Sequence, residues 1–155
     1  GQQLDALARA PLWADKMDYA HGTGHGVGHV LSVHEGPASI SKRGKLPLSV
    51  GMIMSNEPGY YRTGEWGIRI ENLVAVVPAD THDHSNDIGD DIGDDYLTFE
   101  TLSLCPIDRR LIAVANLDAS QINWVNDYHQ RVFDMLGGQV SAAARKWLGK
   151  ACSAL

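Results

Sequence analysis

Three short runs rich in glycine, proline and β-branched residues each enclose isolated ligand-type side chains, and they limit the folds open to this chain. Glycine allows close backbone approaches, and proline biases the preceding residue to an extended conformation. Such surroundings fix a backbone and aim a side chain. The runs are HGTGHGVG at 21–28, SNEPGYY at 55–61 and GIRIEN at 67–72, and they carry His25, Glu57 and Glu71.

One imidazole and two carboxylates suit a hydrolytic site for hard or borderline divalent metals, but they are too few to fill a two-metal site. His21 and His25 have the spacing of an HExxH zinc helix, yet Gly22 occupies the position of its glutamate and the surrounding glycines disfavour a helix. Taken alone, a histidine in a glycine turn is more often structural. Taken alone, Glu57 also fits an exposed turn.

Arg69 and Glu71 lie in a β-branched run, where two charges are costly to bury unless they are paired or coordinated. Their alternation places them on one face of a strand, and this favours a functional pair over a solvent-facing strand surface. His34 follows a strand-like segment, from which its imidazole could donate a hydrogen bond to a developing oxyanion.

Composition excludes several classes of protein. The chain has 155 residues, of which 44% are hydrophobic, and this composition predicts one globular domain, or one domain with a small appendage. The net charge of −6 argues against nucleic-acid binding. No apolar run approaches the ~20 residues that span a membrane. Cys105 and Cys152 lie far apart without CxxC spacing, which indicates a reduced, cytoplasmic protein.

Periodicity predicts a mixture of helices and strands. We expect a helix over 2–13 with a new turn at Pro11, strands over 27–33, 52–55, 68–77 and 96–104, a hairpin around Gly64, and two tail helices separated by Gly137 and Gly138. The Asp-rich segment 80–94 has the wrong spacing for an EF-hand, and we interpret it as a solvated acidic loop.

Taken in order, HGTGHGVG, VHEGP, SNEPGYY and GIRIENL resemble the metallopeptidases of the creatinase/methionine-aminopeptidase, or pita-bread, fold. Within them the chain is most similar to the Xaa-Pro aminopeptidases (aminopeptidase P) of the long form. The resemblance implies an α+β fold. It assigns residues 1–95 to the C-terminal half of the catalytic domain, a curved antiparallel sheet with helices on one face. Residues 96–155 become a largely helical C-terminal extension.

The resemblance also implies a ligand set. In this family two divalent cations, usually manganese, with zinc or cobalt as alternatives, are held by two Asp, one His and two Glu. By resemblance His25 is the histidine ligand, Glu57 is a ligand and general base, and Glu71 is the bridging ligand. His34 stabilises the gem-diolate and contacts substrate, as do His21 and Tyr61, whereas Arg69 pairs with a metal-binding carboxylate.

The chain departs from the family pattern at its start. The family's two aspartate ligands precede the histidine, but Asp5, Asp15 and Asp18 stand in no matching motif. The first residue is glycine and a helical pattern follows at once, so we expect an excerpt whose partner is the N-terminal half of the same enzyme. Alone, it is expected to bind metal weakly or not at all and to lack peptidase activity, and its open sheet edge predicts homo-oligomers.

The resulting hypothesis is a fragment of a dinuclear-metal exopeptidase that removes the N-terminal residue from peptides with proline in second position. Two alternatives stay open: a metal-free pita-bread module that binds peptides or proteins, and an enzyme acting on Xaa-Pro dipeptides, like prolidase, or on N-terminal methionine. The three ligand-type residues favour an enzyme, and the tail favours the aminopeptidase.

Overall fold

The structure is a computed structural model that describes residues 1–30, 32–79 and 96–155. The chain divides into two compact units, Gly1–Ser103 and Leu104–Leu155. The acidic loop predicted at 80–94 lies outside the described residues.

The first unit combines one helix with antiparallel strands. β3, β6 and β7 form a three-stranded sheet in the order β3-β6-β7, whereas β1 pairs with β2 and β4 pairs with β5. The predicted α+β class is therefore confirmed. The elements are α1 (Gln2–Ala14), β1 (Gly24–His25), β2 (Ser39–Ile40), β3 (Ile53–Asn56), β4 (Gly59–Arg62), β5 (Trp66–Arg69), β6 (Asn72–Pro78) and β7 (Leu97–Thr101).

Two expected strands were placed wrongly. The run 68–77 is not one strand, because pairing stops after Arg69 and resumes at Asn72, and the two parts join different sheets. The strand expected over 27–33 is also wrong in its described residues, since the pairing occurs earlier, at Gly24 and His25. Hairpin β4–β5 is as predicted, with Gly64 at a φ of 76° in its turn.

Helix α1 also departs from expectation. The helix continues through Pro11. Proline has no N–H, so the carbonyl of Leu7 lacks its helical hydrogen-bond donor, and this occurs on the exposed side of the helix, where Leu7 is 70% exposed. Its buried residues are Asp5 and Arg9, whereas Leu4 is partly buried and packs against the core of the strands. The apolar core lies between the strands and consists of Ile40, Met54, Val74 and Val76.

A buried polar network joins α1 to the loop that follows it. Arg9 Nε donates to Asp5 Oδ2 at 2.9 Å, and Thr23 Oγ1 donates to Asp5 Oδ1 at 2.7 Å. Burial acts to raise the pKa of Asp5, but the hydrogen bonds from Arg9 and Thr23 outweigh it and lower the pKa, so the carboxylate stays ionised. Arg9 also donates to Asp18 Oδ1 and to the carbonyls of Tyr19 and His21. One guanidinium thus fixes the backbone that leads into the glycine-rich run.

The second unit is the predicted helical tail. α2 (Ala119–Leu136) begins with a capping box between Asp118 and Gln121, and α3 (Ala142–Ala151) follows the turn at Gly137 and Gly138. Its core centres on Tyr128, Val132 and Leu148. Among the residues that the structure describes, no helix combines the length and apolar character needed to cross a membrane.

Candidate functional site

The glycine-rich run places His25 against strand β3. Gly24 packs so tightly that a Cβ there would overlap the Ser55 carbonyl oxygen. The amide of His25 donates to Ser55 Oγ at 3.0 Å, and Gly26 forms a bridge with Met54. The absence of a side chain at Gly24 therefore lets the short strand β1 lie beside the residues that lead to Glu57.

His25 and Glu57 meet directly. His25 Nδ1 lies 2.9 Å from the Gly26 carbonyl, which can only accept, so Nδ1 carries the proton. Nε2 lies 3.1 Å from Glu57 Oε1, and the two side chains are 21% and 13% exposed. With the imidazole neutral and its hydrogen on Nδ1, Nε2 and Glu57 Oε1 face each other with lone pairs, an arrangement that suits a cation shared between them. Two ligand atoms that each lie about 2.0–2.2 Å from one cation are separated by a distance similar to that between Nε2 and Oε1. The His25–Glu57 pair therefore fits a divalent metal.

Arg69 connects the two carboxylates. Its Nε is 3.1 Å from Glu71 Oε2 and 3.8 Å from Glu57 Oε2. Glu71 lies in the break between β5 and β6, and its carboxylate contacts Arg69, the last residue of β5. The hydrogen bond with the Tyr61 hydroxyl and then the charges of Glu71 and Glu57 raise the pKa of Arg69 above its ordinary value. The arginine is thus a fixed positive charge between two carboxylates.

The remaining predicted residues lie around this group. The Tyr61 hydroxyl is 2.9 Å from His21 Nε2, and His21 Nδ1 is 2.7 Å from the Gly22 carbonyl, so in the neutral imidazole Nε2 accepts the phenolic hydrogen. The ring of His34 lies 4.1 Å from that of His25, centroid to centroid. The structure therefore brings His34 next to the His25–Glu57 pair and pairs His21 with Tyr61.

The predicted metal ligands do not yet form a closed cage. Within residues 1–30, 32–79 and 96–155, no group of three or more His, Cys, Asp or Glu side chains is arranged to hold a metal ion. The Arg69 guanidinium contacts both carboxylates, with Nε 3.8 Å from Glu57 Oε2 and 3.1 Å from Glu71 Oε2. His25 and Glu57 meet the geometric requirement for two ligands, whereas Glu71 reaches them only through the arginine.

The residues that support the His25–Glu57 pair were not predicted from the sequence. Ser55 lies in β3, two residues before Glu57, and its hydroxyl donates to Glu57 Oε1 at 3.1 Å. That spacing was a usable signal. Asp5 and Arg9 are opposite charges at helical i,i+4 spacing, which was also visible, but only the structure shows them to be buried.

Gly24 gives a first prediction. Replacing Gly24 by Ala is expected to lower the free energy of unfolding by about 1–3 kcal/mol, because the added methyl must displace the Ser55 carbonyl in a packed strand pair. Chemical denaturation would measure the change. Gly138→Ala is the control, since a Cβ at Gly138 meets nothing within 4 Å. Equal stability of the two variants would contradict the close packing.

Comparison with known proteins shows that the chain is similar to a family of metallopeptidases. The model of metallopeptidase family M24 matches residues 1–78, and the model of the C-terminal region of peptidase M24 matches residues 95–155. A Laccaria bicolor protein named "Probable Xaa-Pro aminopeptidase P" is 44% identical over 160 residues, which cover 100% of this chain and 24% of that protein. Aminopeptidase P1 of Lotus japonicus is 45% identical over 153 residues, covering 97% of this chain and 22% of its own.

A solved structure is similar over the whole chain. The X-prolyl aminopeptidase of Caenorhabditis elegans, described as a cytosolic enzyme with a di-nuclear active site, superposes with a TM-score of 0.86 at 38% identity. The match covers 100% of this chain and 25% of that one, so the chain spans about a quarter of the relatives it matches. The predicted pita-bread fold is thereby confirmed.

Proposed function

Because the chain belongs to metallopeptidase family M24, we propose that it is part of an Xaa-Pro aminopeptidase. Residues 1–95 would be the C-terminal half of the catalytic domain and residues 96–155 its C-terminal extension. The complete enzyme would remove the N-terminal residue from peptides with proline in second position. The observation that carries this proposal is the 3.1 Å approach of His25 Nε2 and Glu57 Oε1, two lone-pair atoms that suit a shared cation.

The proposed metal ligands are His25, Glu57 and Glu71, completed by two aspartates from elsewhere in the protein. The carboxylate-rich set favours manganese, with zinc or cobalt as alternatives. When bound, two such ions would acidify a water molecule and polarise the scissile carbonyl. Arg69, which contacts both glutamates, would keep their carboxylates ionised and oriented.

The chain's own residues would then handle protons and substrate. Glu57 would take a proton from the attacking water on a carboxylate oxygen and deliver it to the proline nitrogen as the peptide bond breaks. That nitrogen carries no hydrogen in the substrate, so this proton becomes the N–H of the released peptide. His34, beside His25, would donate a hydrogen bond to the oxyanion of the tetrahedral gem-diolate.

Substrate recognition would involve the hydrogen-bonded pair His21 and Tyr61. A pyrrolidine ring offers no N–H in the substrate, so the site must recognise it by shape, and two ring side chains held in fixed orientation provide a wall for it. The other proposed partners are the N-terminal half of the enzyme and further copies in a homo-oligomer. The acidic composition argues against nucleic acid, and we propose a cytoplasmic location without membrane contact.

Peptide hydrolysis by the intact protein tests this proposal. With manganese, it is expected to release the first residue from an X-Pro-X tripeptide, to leave X-Ala-X intact and to lose activity with a chelator. Preferential cleavage of an X-Pro dipeptide would indicate a prolidase instead. Tripeptide binding without hydrolysis in the presence of manganese would indicate the metal-free binding module and overturn the enzyme assignment.

A further inference from the structure

Ser55 touches both segments that carry the candidate ligands His25 and Glu57. Its side chain is fully buried, at 0% exposure. Its Oγ accepts the backbone N–H of His25 at 3.0 Å and lies 3.1 Å from Glu57 Oε1. A carboxylate oxygen can only accept, so the hydroxyl hydrogen points to Glu57.

This double contact fixes the direction of the hydroxyl group. A serine hydroxyl has one hydrogen to donate, and at Ser55 the amide of His25 approaches its lone pairs while Glu57 takes its hydrogen. The carboxylate oxygen it holds, Oε1, is the same atom that faces His25 Nε2. The serine therefore sets the distance between the two atoms that would share a metal ion.

A second set of contacts makes the backbone rigid at this point. The amide of Glu57 donates to the Thr23 carbonyl at 2.7 Å, and the Ser55 carbonyl lies against Gly24. The backbones of the two segments are thus fixed independently of the Ser55 side chain. What the hydroxyl adds is the orientation of the Glu57 carboxylate. It donates to Oε1 at 3.1 Å, as close as His25 Nε2 approaches the same atom and closer than the 3.8 Å between Arg69 Nε and Oε2.

We infer that Ser55 is a positioning residue, which holds Glu57 Oε1 at the metal-facing position opposite His25 Nε2. The inference rests on the proposed function for its consequence in metal binding. Residues that orient metal ligands through a hydrogen bond commonly change affinity by about 10–100-fold when that bond is removed. Loss of the Ser55 hydroxyl is accordingly expected to weaken manganese binding by at least about 10-fold.

A matched pair of variants separates the hydroxyl from the shape of the side chain. Ser55→Thr and Ser55→Val add nearly the same volume to the buried site, but only Thr keeps a hydroxyl. In the intact protein, calorimetric titration with manganese is expected to give Ser55→Val at least about 10-fold weaker affinity than Ser55→Thr. Ser103→Ala is a further control, because Ser103 Oγ also accepts a backbone N–H, from Leu73 at 2.8 Å, and should leave manganese affinity unchanged.

Crystal structures of the metal-free variants supply a readout that does not depend on metal. In Ser55→Thr the Glu57 oxygen is expected to stay near His25 Nε2, and in Ser55→Val the carboxylate should rotate away. An unmoved Glu57 in Ser55→Val, or equal manganese affinities of the two variants, would overturn the inference. If the unsubstituted protein bound no manganese while the rotation occurred, the proposed function would fail and the positioning role would stand.

Discussion

Replacing Glu57 by Gln in the intact enzyme is expected to lower kcat by about 10³-fold at saturating manganese and X-Pro-X peptide, since removal of a general base typically costs 10²–10⁴-fold. The amide of Gln keeps the size of the side chain but cannot take the proton of the attacking water. It also loses the charge that faces His25 Nε2 at 3.1 Å and Arg69 at 3.8 Å, so manganese affinity should fall as well. Steady-state kinetics with a metal titration would measure both effects.

Glu65→Gln is the matched control for this substitution. Glu65 is a half-exposed glutamate of the same unit, whose carboxylate lies 3.3 Å from Arg62 on the surface of the hairpin. It should retain the unsubstituted kcat. A Glu57→Gln enzyme with nearly full kcat at saturating manganese would rule out Glu57 as the general base, whatever its role in holding metal.

Replacing Arg9 by Met is expected to destabilise the protein by about 3–5 kcal/mol, because it leaves the Asp5 carboxylate buried without its positive partner. Asp5 and Arg9 are 1% and 2% exposed, so water cannot replace the lost interaction. The substitution also removes the donors to the carbonyls of Tyr19 and His21. Chemical denaturation would measure the loss in free energy of unfolding.

Two further variants test the reason for that loss. The double variant Asp5→Leu with Arg9→Met removes both charges, and it should be more stable than Arg9→Met alone. Breaking the exposed pair Arg62–Glu65 by Arg62→Met should cost no more than about 1 kcal/mol. If Arg9→Met were as mild as Arg62→Met, the buried ion pair would not hold the fold together.

Much of this architecture could be predicted from the sequence where local signals agreed. Hairpin β4–β5 has a glycine at the residue that needs positive φ, and the tail helices have side-chain caps at Asp118 and Ser141. The proximity of His25 and Glu57 was only a hypothesis at the level of the sequence. It came from the resemblance of the runs that carry His25, Glu57 and Glu71 to one family. In the hairpin and at the helix caps, a few neighbouring residues determine the conformation.

The sequence-based predictions were wrong where residues distant in the sequence determine the local structure. The β-branched run 68–77 gave no sign of its break, because pairing partners on two different sheets fix where β5 ends and β6 begins. There was also no sign in the sequence that Asp5 is buried, which is possible because Arg9 and Thr23 satisfy its carboxylate. Only the folded chain brings Thr23 to that helix.

The break between β5 and β6 has a mechanical consequence. His25 is anchored to the edge of the three-stranded sheet through Ser55, whereas Arg69 closes a two-stranded ribbon whose strand β5 is exposed along its whole length. An isolated ribbon of this kind opens more readily than a sheet that covers a core. The side of the candidate site that carries His25 is therefore expected to be rigid, and the side that carries Arg69 to be more mobile. Metal ions bound between the two sides would restrain the motion of the ribbon.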